Sequence, residues 1–115
     1  MRANQCDIIE VNFPLGNGIY KPHPAVVISN RDVYDAEGYY IVVMLSTKKY
    51  NEEFIFTITS DMLTKSTANI SYAKCQLLTQ FTDTEIIGRH GSIKREYFNQ
   101  LIRKINQSVF SFDCI

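Results

Sequence analysis

A small, mainly β domain with one C-terminal helix, its strands wrapped into a strongly curved barrel, is the fold class this sequence predicts. Two observations predict it. Five or six short strand-like stretches follow one another at close spacing, and the apolar period shifts toward that of a helix only after residue 92. Size agrees: 115 residues, 45% of them hydrophobic, can bury a core without disulfides or metal.

The first stretch, Asp7 to Phe13, places Ile9, Val11 and Phe13 on one face and Glu10 and Asn12 on the other, the pattern of a half-buried strand. Pro14 ends it, and Leu15-Gly-Asn-Gly18 carries turn chemistry. Pro14 to Pro24 is expected to be a polar loop and the working edge of the domain. Ala25 to Ser29 is a mostly β-branched run expected to be buried on both faces. Val33 to Ala36 fits one helical turn before Gly38, and Tyr39 to Leu45 is the third and most apolar strand. A polar connection, Ser46 to Glu53, leads to a fourth strand, Phe54 to Thr59, and an irregular or shortly helical segment, Ser60 to Lys65. A fifth strand spans Ile70 to Leu78, and a short sixth lies near Glu85 to Ile87. Ile93, Tyr97, Phe98, Leu101, Ile102, Ile105 and Val109 then recur at helical spacing, with Ser92 as the expected N-cap. The helix is expected to cap the open mouth of the sheet, and Ser111 to Ile115 to form a loose tail. The whole chain, 1–115, reads as one domain with its core at about 6–109.

Twelve basic residues balance twelve acidic ones, which argues against a protein that holds nucleic acid by bulk positive charge. Cys6, Cys75 and Cys114 are too few and too widely spaced for a disulfide framework or a zinc site. The N-terminus lacks an apolar signal region, and the longest apolar run is far too short to span a bilayer. Cytoplasmic placement, reduced thiols and no membrane association are the expectation.

Few residues carry chemistry. His23 stands in Lys21-Pro-His-Pro24, where prolines stiffen the backbone on both sides. Imidazole titrates near neutrality and serves as a general acid or base. Ser46 and Thr47, followed by Lys48 and Lys49, bring hydroxyls beside ammonium groups, a combination that seats phosphate. Arg89 and His90 lie between glycines in what reads as a turn before the helix. There is no dinucleotide or phosphate-loop fingerprint, no nucleophile elbow and no metal-spaced cluster.

Read in order, these residues resemble a family. Cys6-Asp-Ile-Ile-Glu-Val-Asn-Phe13, the glycine turn and Pro24-Ala-Val-Val-Ile-Ser29 look like the opening of PemK/MazF-type toxins. The likeness continues through the apolar strand to Ser46, through Ser71, Gln76 and Leu77, and through Ile87-Gly-Arg89. The resemblance implies an SH3-like, PemK-type barrel, usually homodimeric. It also implies a metal- and cofactor-independent endoribonuclease acting through the substrate's 2′-hydroxyl and neutralised by an antitoxin. The departures fall on the chemistry. His23 replaces an arginine, Ser46 (Thr47 if the register slips) stands where threonine is usual, and Cys75 replaces an acidic residue. The resulting assignment makes His23, Ser46 and Thr47 catalytic. Tyr20, Lys21, Lys48, Lys49 and Gln76 contact RNA, Tyr20 by stacking. Tyr39, Tyr40 and the third strand suit a dimer surface. The alternative is a PemK-like module that binds a protein or nucleic acid without cutting it.

Overall fold

The computed structural model describes residues 1–114 and contains a six-stranded antiparallel sheet. Its strands are β1 (Asp7–Gly16), β2 (Ile19–Val27), β3 (Tyr39–Ser46), β4 (Ile55–Ile58), β5 (Ser71–Thr82) and β6 (Ile86–Ser92), in the order β4-β5-β3-β2-β1-β6. Among the described residues two α-helices complete it, α1 (Arg31–Glu37) and α2 (Arg95–Ser108). The mainly β class with a C-terminal helix is as expected, but among the described residues no ladder closes the sheet. A lone bridge, Leu63 to Ile93, links the segments that follow the two edge strands.

Alternation along the strands builds two cores, one on each side of the sheet. Ile9, Val11, Phe13, Ala25, Val27, Val42 and Met44 pack with Tyr40, Phe81 and Ile86 on one side. Ile8, Val26, Val43, Leu45, Ile58 and Cys75 face the other, where α2 covers them with Phe98, Leu101 and Ile105. Each Val, Leu, Ile, Phe or Met among them contributes about 1.5–3 kcal/mol when fully buried. Ala25, Val26 and Val27 are all inaccessible to solvent, as a strand buried on both faces must be.

Several expectations are corrected. The polar loop from Pro14 to Pro24 is a β-hairpin: Pro14 pairs with Tyr20 and Gly16 with Ile19, leaving only Asn17 and Gly18 in the turn. Both have positive φ, 53° and 72°, which suits the turn that matches strand twist. Proline is tolerated in these arms because their second edges are unpaired: β3 joins β2 only from Ala25, and β6 pairs with β1 only up to Val11. Gly88 to Gly91 is not a turn but part of β6, which pairs with β1 from Asp7 to Val11. Ser92 does not cap α2. Its N–H donates to Thr64 Oγ1 at 2.9 Å and its carbonyl accepts from the Thr64 N–H, so the chain stays extended to Lys94. Helix α1 is longer than one turn because Asn30 caps it, accepting from the Val33 N–H, and Gly38 closes it in the left-handed region. Tyr40 and β3 lie in the middle of the sheet, with Tyr40 only 3% exposed, so they form core and not a dimer surface. Phe110 to Cys114 has no regular structure, while Ile115 lies outside the described residues.

Candidate functional site

The two prolines of β2 mark where the site opens. Pairing of β2 with β3 covers only Ala25 to Val27. The arm that holds Pro22 and Pro24, which lack an N–H to donate, pairs with β1 alone, His23 standing opposite Val11. Strand β3 meanwhile runs on to Ser46. Between this arm, the end of β3 and β5 lies a groove of about 510 Å³.

Strand β5 builds the far wall through a large irregularity. Its pairing with β3 jumps from Val43↔Leu78 to Leu45↔Ala73, so Lys74 to Leu77 lie opposite Met44 alone. Bulges bend a strand and redirect its side chains, and they are common beside functional sites. Here Lys74 and Gln76 line the groove, while Ala73 and Cys75 sink into the core under α2. Burial pushes the Cys75 thiol up to about 11, which leaves it an inert, protonated core group.

Lys21, His23, Ser46, Thr47, Lys48 and Gln76 all line this one groove. Two residues from the sequence assignment do not. Tyr20 faces a separate hollow with Asn12, Phe81 and Ile87. Lys49 turns to Glu52, 3.2 Å away, and toward the Tyr72 ring. Arg89 and His90 pair with Asp7 and Glu10 at 3.6 and 3.8 Å, and neither lines the groove.

Among the described residues the groove lining holds three lysines and a histidine but no carboxylate. On a chain of zero net charge, this is a local concentration of positive charge. The Ser46 hydroxyl oxygen accepts from the Lys48 N–H at 3.1 Å, which leaves its own hydrogen to donate. Gln76 Oε1 is buried without a hydrogen-bond partner. Sequence reasoning missed Lys74, Tyr50 and Asn51, which also line the groove. In sequence Lys74 is one position of the fifth strand with no motif around it; alternation with Ala73 and Cys75, which face the α2 core, puts it on the groove side.

This geometry can hold an anion by several donors at once and present it to an imidazole. Comparison with known proteins places the fold. MazF from Deinococcus radiodurans superposes with a TM-score of 0.74 at 10% identity, covering 96% of this chain and 99% of that one. The Mycobacterium tuberculosis toxin MazF-mt6 gives 0.71 at 12% identity, over 94% and 99%. An endoribonuclease from a mycobacterial species, solved in complex with its cognate antitoxin, gives 0.69 at 12%, over 95% and 96%. No curated protein matches the sequence. A family model described as "PemK-like, MazF-like toxin of type II toxin-antitoxin system" matches residues 4–109. The chain therefore belongs to the PemK-like, MazF-like toxin family of type II toxin–antitoxin systems.

Proposed function

We propose that this toxin is an endoribonuclease that cuts single-stranded RNA by attack of the substrate's own 2′-hydroxyl. The observation that carries the reading is the groove itself. It has a cationic lining without carboxylates, and His23, Ser46 and Thr47 converge on it. Carboxylates are what a catalytic divalent cation needs; here charge neutralisation falls to lysines.

In this mechanism the 2′-oxygen forms a bond to phosphorus, the bond to the 5′-oxygen breaks, and a 2′,3′-cyclic phosphate and a 5′-hydroxyl result. His23 takes the proton from the 2′-hydroxyl or delivers one to the departing 5′-oxygen. Ser46 and Thr47 donate hydrogen bonds to the phosphate, where negative charge grows in the transition state. Lys21 and Lys48 hold the flanking backbone, and Gln76 faces the nucleotide. The toxin works as a homodimer and is silenced by an antitoxin that covers the groove.

The test is cleavage of a long single-stranded RNA by purified protein in the presence of a chelator. Wild type is expected to cut, and His23→Ala to lose about 10²- to 10⁴-fold in rate, the usual worth of a general acid or base. Intact RNA with both proteins overturns the nuclease reading. A module that binds without cutting then remains.

A further inference from the structure

Lys74 is the least explained charge in the molecule. It is 5% exposed, yet no carboxylate of the described residues lies within ion-pair distance of it. Its ammonium donates one hydrogen bond, to the Tyr50 carbonyl at 3.3 Å, and lies 5.5 Å from the centre of the Tyr50 ring. An ammonium has three donors, and the Tyr50 carbonyl takes one of them. Taking a charge out of water is costly, and at this position the Tyr50 carbonyl and ring stand against that cost with no carboxylate beside them.

Lys74 lines the cationic groove, on the segment of β5 that leaves the β3 register. One pleat further on, Gln76 turns to the same groove with its own unpartnered buried oxygen. A cation with one hydrogen bond and an unpartnered buried amide oxygen thus stand two residues apart on the same wall of the groove. We propose that Lys74 is a phosphate-binding residue of the groove, its ammonium the buried counter-ion of a phosphodiester in the bound RNA. The inference rests on the RNA reading above and adds to it the group that supplies fixed charge inside the groove. Lys21 and Lys48, both exposed, have charges that water and salt screen. A cation in a desolvated site interacts far more strongly. Burial also lowers the Lys74 ammonium below the usual lysine range, and an incoming phosphate would restore it.

The experiment measures binding of a fluorescent, uncleavable 2′-O-methyl oligonucleotide of mixed sequence to the full chain, across a salt series. Wild type is expected to bind. Lys74→Met should weaken binding about 10-fold or more and flatten the salt dependence by about 0.7 in log–log slope, the value for one single-strand phosphate contact. Lys74→Arg should recover much of the affinity. In a thermal melt Lys74→Met should be at least as stable as wild type, since it removes an unpaired buried charge. A residue kept for the fold would show the opposite.

Unchanged affinity and slope in a folded Lys74→Met overturn the proposal and leave the RNA reading standing. If Lys74→Met does not fold, Lys74→Gln takes its place, and failure of both assigns Lys74 to the fold and overturns the proposal. Wild type that binds no oligonucleotide overturns both readings, including the case in which it binds a poly-glutamate peptide instead.

Discussion

Asp83 holds the most concentrated polar cluster outside the groove. Its two carboxylate oxygens accept from Tyr34 and Tyr40 hydroxyls at 2.5 and 2.6 Å, and the N-terminal ammonium donates to its carbonyl at 2.9 Å. Tyr40 in turn accepts from the Ala3 N–H, tying the N-terminus to the sheet. Asp83→Ala should cost about 1–3 kcal/mol, because it strands the hydroxyl of the buried Tyr40. A thermal melt reads this directly. The two tyrosine hydrogen bonds hold the Asp83 carboxyl below its ordinary value of 3.8, so its stabilisation is present above that pH and fades as pH falls through the lower folded value. Burial and the bond to Asp83 push Tyr40 from 10.0 up to about 12, so its contribution is complete below pH 10 and is lost as pH rises toward 12. Asp83→Ala should therefore flatten the acid limb of the stability profile, and Tyr40→Phe the alkaline one.

At the scale of elements, two irregularities matter most. One is the jump in register of β5 against β3, which leaves Lys74 to Leu77 opposite Met44 alone on that edge. The other is the end of β6, where Gly91 has φ near 74°. A Cβ there would meet Lys65 Cβ at 2.9 Å and Thr64 Oγ1 at 3.0 Å. Gly91→Ala should thus destabilise by about 1–3 kcal/mol through left-handed strain and crowding, measured by denaturant unfolding. The strand would be pushed away from the Thr64–Ser92 bonds that keep the chain extended up to α2.

For the whole molecule, the central contrast is zero net charge against a groove lined by Lys21, Lys48 and Lys74. Overall balance argues against diffuse attraction to nucleic acid but leaves room for a focused site. Three phosphate contacts to a single strand predict a log–log salt slope near −2, about −0.7 for each. A slope near zero in oligonucleotide binding would separate this groove from phosphate recognition. Much of the groove was legible before the fold was known. His23 between its prolines, and the hydroxyls and lysine after β3, were marked by residue type and local order. Tyr20 and Lys49 were marked on the same grounds and point elsewhere: Tyr20 faces Asn12, Phe81 and Ile87, and Lys49 is drawn to Glu52, three residues on, and to the Tyr72 ring.

Local patterning by itself determined the strand-rich class, the C-terminal helix, a buried run beginning at Ala25 and turn chemistry within Leu15–Gly18; the structure narrowed the last two to Ala25–Val27 and Asn17-Gly18. All are consequences of neighbours in sequence: period, β-branching, and residues that accept positive φ. Tertiary structure alone decided that the supposed loop is a hairpin, that Ser92 stays in a strand, that the sheet remains open, and that Lys74 is buried in the groove. Each depends on which strand lies alongside and in what register, and a register is set between segments tens of residues apart. The hairpin arm around His23 shows the division most plainly. Its prolines can be read in the chain, but the wall that faces it is supplied by β5.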